Sequence, residues 1–287
     1  MWIFAGWSVA AEPNTGSALQ LRAKYAELAD RLKDTQFKRP LQLDSVELPN
    51  QLKGDVYAVL NYPIASVNTA LTDPTHWCDL LILHINTKYC HASIETSTEN
   101  LSAMLAVSIG KKFDQPIKEA YRVNFLFGVA SNTPDYFDVR LKADSGPVGT
   151  TDYRIGLEAV ALPGNKTFVH FTYSYSYGIA ARIGMKAYLS TIGRNKIGFT
   201  NLAKAPSARP DYVGGVRGVV ERNTMRYFLA IDAYLSALTL PPQEQMEQRL
   251  QNWFAATEQY PRQLHEMDRD DYLEMKRSEI ERQQTAQ

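Results

Sequence analysis

The hydrophobic period changes within Lys166–Thr200, and this change constrains the fold more than any other feature of the sequence. Before Gly178 the residues alternate between apolar and polar, which is typical of a strand with one buried face. The apolar side of this strand carries Val169, Phe171, Tyr173, Tyr175 and Tyr177. After Gly178 the apolar residues recur three or four positions apart, which favours an amphipathic helix. A long aromatic strand therefore leads directly into a long helix.

The size and charge of the chain exclude several classes of protein. Its 287 residues, 45% hydrophobic and 22% charged, suit one large domain or a domain with a helical extension. The 31 basic and 31 acidic residues cancel, and no basic stripe is interleaved with aromatic residues, so no nucleic-acid partner is expected. No apolar run reaches the ~18 residues that a membrane helix needs, so no transmembrane segment is expected.

The first residues resemble the end of a secretory signal. Met1–Ala11, MWIFAGWSVAA, is an apolar run that ends in small residues, and Ser8–Ala10 fits a small-x-small cleavage site. The positively charged region that normally precedes such a run is missing. The pattern predicts an exported protein, periplasmic or secreted, with 1–11 as a signal-peptide remnant. The alternative is a short hydrophobic segment of a cytoplasmic protein.

The rest of the chain predicts a sheet with helices before and after it. Leu19–Lys33 has the pattern of a surface helix. Asp55–Leu60 is a short strand, followed by helices at Ile64–Leu71 and from Pro74, with Asp73 as N-cap. Turn sequences join the later strands, which implies antiparallel neighbours in a meander. These strands are Thr87–Ile94, Met104–Gly110, Tyr121–Ala130, Tyr136–Lys142, Asp152–Leu162 and Thr167–Tyr177.

Gly54–Leu80, GDVYAVLNYPIASVNTALTDPTHWCDL, combines a strand with a helix pair that ends in a D-P-x-x-W-like turn. Together with the strand-to-helix junction in Lys166–Thr200, this order resembles the START-like, or helix-grip (SRPBCC-type), superfamily. That superfamily includes polyketide cyclase-like proteins and the birch-pollen-allergen group. The resemblance implies an α+β fold in which a curved antiparallel sheet grips a long C-terminal helix, with an apolar cavity between them.

The resemblance also divides the chain. After 1–11, it implies an N-terminal helix and connection at 12–53, the START-like domain at 54–202 and a C-terminal helical extension at 203–287. In the extension the spacing predicts helices at Val216–Leu238, Gln243–Gln259 and Leu264–Gln283. We expect these helices to pack on the core or to dock a protein partner.

The two cysteines, Cys78 and Cys90, leave three interpretations open. In an oxidising compartment they would form a disulfide that pins the helix pair to the sheet. They could instead be free buried thiols. A metal site with the nearby histidines is the third alternative, but the spacing matches no zinc pattern.

Catalytic and cofactor-binding motifs are missing from the sequence. It contains no nucleophile elbow, P-loop, dinucleotide fingerprint or H-E-x-x-H pair. We therefore predict no catalytic residue, no metal and no cofactor.

The tyrosines of the last strand are the most informative polar groups. Phenol rings are amphipathic, so a cavity lined by them would accept a ligand that is apolar over most of its area. The predicted lining residues are Phe125, Phe127, Phe171, Tyr173, Tyr175 and Tyr177. Arg182 and Arg222 would suit a carboxylate or phosphate head group at the cavity mouth. The alternatives are a solid core, and arginines engaged in interhelical salt bridges.

Three functions are consistent with these observations. The leading hypothesis is non-catalytic binding of a hydrophobic or amphipathic small molecule, with lipids as the main class. The second is a cyclase-like or hydrolase-like enzyme in which His84, Asp152 or Arg154 reaches into the cavity. The third is a structural or interaction protein with a closed cavity and a partner bound by the C-terminal helices.

Overall fold

One curved sheet of eight antiparallel strands forms the centre of the protein. The computed structural model describes residues 15–96, 101–178, 182–184, 196–203 and 210–285. The strands follow the order β1-β2-β8-β7-β6-β5-β4-β3 across the sheet, and all neighbouring strands are antiparallel. Their bounds are β1 Leu41–Leu48, β2 Gln51–Leu60, β3 Thr87–Thr96, β4 Leu101–Ile109, β5 Tyr121–Thr133, β6 Tyr136–Ser145, β7 Thr150–Leu162 and β8 Lys166–Tyr177.

Helices cover both faces of this sheet. The α-helices whose full bounds the structure describes are α1 Thr15–Lys33, α2 Ile64–Leu71, α3 Pro74–Leu81, α4 Gly215–Ser236, α5 Pro242–Thr257, α6 Pro261–Leu264 and α7 Arg269–Thr285. Single 3-10 turns lie at Ile117–Glu119 and Pro147–Gly149. The predicted α+β class, the antiparallel meander, the N-terminal helix and the C-terminal helices are all confirmed.

The sheet begins earlier than the sequence pattern indicates. Leu41–Leu48, predicted as part of the connection at 12–53, pairs along its whole length with β2. β2 in turn pairs with β8, so the first and last long strands of the fold are neighbours. The START-like boundary at Gly54 therefore falls inside β2 instead of between structural units.

α4 is a long helix that packs against the inner face of the sheet, where it contacts β1, β2 and β8. The periodicity predicts a gripping helix after Gly178; of that segment the structure describes 182–184, and the rest lies outside the described residues. The sequence pattern places α4 in the C-terminal extension. Its residues from Thr224 to Ile231 are all buried, as expected for a helix that is covered on every side.

A close contact between the Gly54 backbone and the Thr224 side chain holds α4 on the sheet. Gly54 lies on the inner side of β2, and a Cβ added there would overlap the hydroxyl of Thr224 on α4 and lie 3.0 Å from the Thr224 Cβ. Further along β2, the inner positions Val56 and Ala58 are also buried. Glycine at this position therefore sets how close the helix comes to the sheet.

The helix pair α2 and α3 closes one end of the inner face. Asp73 caps α3 as predicted, because its Oδ1 accepts a hydrogen bond of 2.8 Å from the Thr75 backbone N–H. Trp77 is 1% exposed, and its Nε1 donates to the Leu71 carbonyl at 2.8 Å. The Trp77 side chain thus links the two helices.

The last helix, α7, is fixed to β3 by a fully buried ion cluster. Glu279 accepts hydrogen bonds from Lys88 Nζ at 2.9 Å and from Lys276 Nζ at 2.5 Å, and all three side chains are 0% exposed. Lys276 also donates to the Thr87 carbonyl at 2.7 Å. Burial lowers the pKa of Lys276 to about 8, although Glu279 opposes this shift. The Glu279 carboxylate therefore forms ion pairs with two buried lysines.

The C-terminal helices bury their apolar residues within this chain. Among residues 210–285 no large hydrophobic side chain is exposed, whereas Leu19, Phe113 and Leu126 are exposed elsewhere. Within the described part of the chain no helix is both long and apolar enough to cross a membrane. Docking of a protein partner by these helices stays a prediction.

Replacing Gly54 tests the seat of α4. Gly54→Ala should lower the free energy of unfolding by about 1–3 kcal/mol, because the new methyl group overpacks the contact with Thr224. Adding Thr224→Ala should recover part of that loss, which urea unfolding of the two single variants and the double variant measures. Gly128→Ala is the matched control, since a Cβ there meets nothing within 4 Å. Equal losses at both glycines would contradict the close contact.

Removing the charge of Glu279 tests the anchor of α7. Glu279→Gln leaves two buried lysines without a carboxylate and should cost about 3–5 kcal/mol of unfolding free energy. Glu274→Gln, on the exposed side of the same helix, should change it by less than about 0.5 kcal/mol. Chemical denaturation at pH 7 compares the two. A small loss for Glu279→Gln would show that the buried ion cluster does not hold α7.

Candidate ligand-binding site

An aromatic cluster occupies the inner face of the sheet on β5, β7 and β8, next to Tyr227 of α4. Tyr173 lies between Tyr153 on β7 and Tyr227 on α4, with ring centroids 6.2 and 5.2 Å away. Tyr175 stacks on Tyr153 at 5.2 Å. Alternation along the strands explains why the rings gather here, since every second residue faces the same side. We call this set the tyrosine face: Phe125, Tyr153, Phe171, Tyr173, Tyr175 and Tyr227.

The phenol groups of the tyrosine face are neutral. The Tyr153 hydroxyl lies 2.7 Å from Thr150 Oγ1. Thr150 in turn donates to the Pro147 carbonyl at 2.5 Å. Burial raises the pKa of Tyr173 well above its ordinary value, and it also raises that of Tyr227. The face is therefore an uncharged surface with hydroxyl groups at defined positions.

Of the predicted lining residues, the structure brings together Phe125, Phe171, Tyr173 and Tyr175. Phe127 is buried two positions further along β5, where its ring meets Trp77 edge-on at 6.2 Å. It thus packs under α3 and not beside the tyrosines.

An open groove adjoins the tyrosine face at the end of β8. The groove has a volume of about 650 Å³ and is lined by Ser45, Val46, Glu47, Leu48, Pro49, Tyr177, Arg182, Val216 and Arg217. Tyr177 follows Tyr175 on the same side of β8 and donates to the Leu48 carbonyl at 3.2 Å. The groove, called the edge groove below, therefore begins where the tyrosine face reaches the edge of the sheet.

Two arginines stand in the edge groove, Arg182 beside neutral partners and Arg217 beside a hydroxyl and a carboxylate. The Arg182 guanidinium lies 5.5 Å from the Tyr177 ring centroid and donates to Asn50 Oδ1 at 3.4 Å. Arg217 Nε donates to Ser45 Oγ at 2.7 Å, while the Glu221 carboxylate is 3.8 Å away. Both cations remain close to the apolar lining of the groove.

Arg222, the other predicted head-group ligand, lies elsewhere. It is buried on α4 and donates to the Ile197 carbonyl at 3.1 Å. Its neighbour Glu221 is fully buried and accepts backbone hydrogen bonds from Phe199 at 2.5 Å and Thr200 at 2.9 Å. These contacts tie the segment at 196–203 to α4.

The sequence pattern missed most of the edge groove. Val46 and Leu48 on β1, with Val216 and Arg217 at the start of α4, were not among the predicted ligand residues. A signal was present, because LQLDSVEL at Leu41–Leu48 alternates at its start as a strand does. What the pattern could not provide was the contact between β1 and α4.

The three residues named in the enzyme hypothesis lie in two different places in the structure. Asp152 and Arg154 pair with each other on the outer side of β7, half-exposed. His84 is buried and stacks on Tyr227, with ring centroids 4.5 Å apart. Its Nδ1 accepts the Asn86 backbone N–H, and its Nε2 has no hydrogen-bond partner among the described residues.

The environment of His84 keeps its imidazole neutral. Burial, followed by the positive charge of Arg226 and then that of Lys276, lowers the pKa of His84 well below its ordinary value. Of His84, Asp152 and Arg154, only His84 therefore faces the interior, and its imidazole is uncharged there.

Cys78 and Cys90 form a disulfide that joins α3 to β3. The backbone N–H of Cys90 also donates to Gln283 of α7 at 2.9 Å. Within the described ranges no three side chains of His, Cys, Asp or Glu come together as metal ligands. The structure thus gives the two cysteines a covalent structural role.

The outer face of the sheet holds a second ionisable cluster, centred on His170. Its Nε2 lies 2.8 Å from Asp55 Oδ1 and its Nδ1 lies 3.3 Å from Glu158 Oε2. Thr172 donates to the same Asp55 oxygen at 2.8 Å, and Tyr57 stacks on the imidazole at 4.3 Å. Burial acts to lower the pKa of His170, but the hydrogen bonds to the two carboxylates outweigh it and raise that pKa.

Comparisons with known proteins give loose structural similarities. No family model matches the sequence, and no curated protein matches it. Norcoclaurine synthase from Thalictrum flavum is 15% identical, with 53% of this chain and 89% of that one covered, at a TM-score of 0.34. The ZhuI aromatase/cyclase from Streptomyces sp. R1128 is 11% identical, with 53% and 88% covered, at 0.32.

Human StAR-related lipid transfer protein 5 is 10% identical, with 63% of this chain and 90% of that one covered, at a TM-score of 0.32. These TM-scores are too low to assign a function. The α+β helix-grip arrangement itself follows from the strand order and from the position of α4 across the inner face.

The raised pKa of His170 makes its contribution to stability depend on pH. Protonated His170 stabilises the fold fully below its unfolded pKa of about 6.5, and this stabilisation is lost as the pH rises through the folded value. His170→Gln should therefore cost about 1–3 kcal/mol at pH 6 and progressively less at higher pH. Urea unfolding from pH 6 to 9 measures the difference. His91→Gln, at an exposed position, is the control, and a pH-independent loss at position 170 would contradict a charged imidazole.

Proposed function

We propose that this protein binds an amphipathic small molecule, with lipids as the main class, without converting it chemically. The observation that carries the proposal is the edge groove, which opens where the neutral tyrosine face reaches the edge of the sheet. Ligand sites are typically concave and mostly apolar, with a few polar groups that orient the ligand. The groove lining mixes apolar side chains with polar and charged ones, and the tyrosine face adds a buried aromatic surface beside it.

The apolar part of the ligand would lie along the strand side of the groove. Val46 and Leu48 are 46% and 48% exposed on β1, although both are large and hydrophobic. Val216 at the start of α4 also belongs to the lining, and so does Tyr177, which follows Tyr175 on β8. Exposed apolar side chains gathered in a concavity are a common mark of a binding surface.

The polar part of the ligand would be bound by Arg182 and Arg217. Arg182 donates to a neutral oxygen on Asn50. Arg217 donates to Ser45 Oγ and also forms a long ion pair of 3.8 Å with Glu221. A carboxylate or phosphate head group would give each of them a stronger, charge-assisted hydrogen bond. The lining therefore favours an anionic amphiphile over a neutral one.

The same residues support binding without catalysis. Glu47 is the carboxylate of the groove lining, and neither histidine nor cysteine is among the described residues that form it. The inner-face phenols have raised pKa values and His84 has a lowered one, so these groups do not exchange protons readily near neutral pH. A cyclase-like enzyme that uses His84 is the alternative.

Export forms part of the proposal. A disulfide such as that between Cys78 and Cys90 persists in oxidising compartments, which supports a periplasmic or secreted protein. The mature N-terminus of the protein from its native host tests this directly. A cytoplasmic protein that retains residue 1 would contradict export without affecting ligand binding.

Binding of palmitate tests the proposed function, alongside mass spectrometry of lipids extracted from the purified protein. Leu48→Asn should weaken palmitate binding about 3- to 10-fold, because about half of a leucine side chain loses its apolar contact. Leu19→Asn, at an exposed leucine on α1, should leave it unchanged. No bound or extractable amphiphile, or equal effects of the two variants, would refute the proposal.

The head-group assignment needs a second pair of variants. Arg182→Gln should weaken binding of palmitate but not of uncharged monopalmitin, whereas Arg269→Gln, an exposed arginine on α7, should affect neither. Titration of both ligands by fluorescence displacement gives the ratio of the palmitate and monopalmitin dissociation constants for each variant. Equal weakening for both ligands would assign Arg182 a packing role instead.

A further inference from the structure

The outer face of β6, β7 and β8 contains a small concavity that is separate from the edge groove. Its volume is about 200 Å³, and Gly156 lies at its centre. In the strand register Gly156 stands between Arg140 on β6 and Thr172 on β8. α1 packs over other parts of these strands, around Tyr136 and Phe168. We call this concavity the outer pocket.

Neither backbone conformation nor packing requires glycine at position 156. Its φ is not in the left-handed region, and a Cβ added there would meet Thr172 at 3.8 Å, an ordinary contact. Glycine inside a strand is nevertheless less stable than a residue with a side chain, and it often marks a place where a ligand approaches the backbone. Because Gly156 has no side chain, it leaves the space of the outer pocket open.

Every outer-face position around Gly156 is polar. Two rows of residues flank the row that contains Gly156, each two positions away along the strands. One row forms the acidic end of the pocket and the other forms the basic end. The acidic end consists of Asp138, Glu158 and His170, and the basic end of Lys142, Arg154 and Ser174. Arg140 and Thr172 stand between the two ends. Such a ring of polar groups around a central gap can hydrogen-bond a compact ligand from several sides.

The basic end carries a positive charge that the fold does not balance. Lys142 lies directly opposite Arg154 in the register, and like charges in that position destabilise a sheet. Arg154 pairs with Asp152, and Arg140 pairs with Asp138. Within the described part of the chain no ion pair is formed by Lys142, so an anion placed between Lys142 and Arg154 would relieve the repulsion.

We propose that the outer pocket binds a small hydroxylated anion. Its anionic group lies between Lys142 and Arg154, and its hydroxyl groups reach Glu158 and Thr172 over the floor at Gly156. The His170 cluster supports the acidic end, because Asp55 and Glu158 hold the imidazole from both sides. This site uses the outer face alone, so it does not depend on the proposed lipid binding.

Calorimetric titration with glycerol 3-phosphate tests the site, with inorganic phosphate and glycerol as part-ligands. Glycerol 3-phosphate should bind at least 5-fold more tightly than inorganic phosphate, and glycerol should show no saturable binding. Phosphate binding equal to that of glycerol 3-phosphate would overturn the hydroxyl contacts. No saturable binding of glycerol 3-phosphate up to 10 mM would overturn the proposal entirely.

Two pairs of variants locate the binding. Gly156→Val should weaken glycerol 3-phosphate binding at least 10-fold by filling the pocket, whereas Gly128→Val, on the other side of Arg140 and outside the pocket, should not. Lys142→Gln should weaken it about 5-fold and Lys33→Gln, an exposed lysine on α1, should not. Equal effects within either pair would overturn the assignment. Unchanged palmitate binding by a folded Gly156→Val variant separates this site from the edge groove.

Discussion

The contact between Gly54 on β2 and Thr224 on α4 is the constraint on which the rest of the structure depends. A helix with as many buried residues as α4 needs the sheet within van der Waals distance, and glycine at 54 allows that approach. Once α4 is seated, Tyr227 reaches Tyr173, and Val216 and Arg217 stand opposite β1. The tyrosine face and the edge groove are both consequences of this one packing distance.

The two faces of the sheet use the same strands for different chemistry. Along β8, Phe171 and Tyr173 point toward α4, while His170 and Thr172 point outward into the ion cluster. Glycine serves opposite purposes on these faces, since Gly54 lets a helix come close and Gly156 leaves a gap. The alternation of β8 thus encodes an uncharged interior surface and a charged exterior one within twelve residues.

The sequence predicted the secondary-structure elements better than it predicted which elements pack against each other. Alternation identified β8 and the tyrosine face because a period of two is local information. It could not show that α4, with Arg217, Glu221 and Arg222 near its start, is a core helix, since those charges indicate a surface helix until the partners are known. Glu221 is satisfied by backbone groups at 199 and 200, and His170 by Asp55, 115 residues away. Such long-range pairs leave no periodic trace.

Acid–base catalysis needs a group that changes its protonation easily near the working pH. On the inner face the phenols of Tyr173 and Tyr227 hold their protons more strongly than usual, and buried His84 resists taking one up. On the outer face His170 can be charged, but both of its nitrogens are occupied by carboxylates. The inner-face groups therefore stay in one protonation state near neutral pH, whereas His170 changes its state within an ion cluster that stabilises the fold.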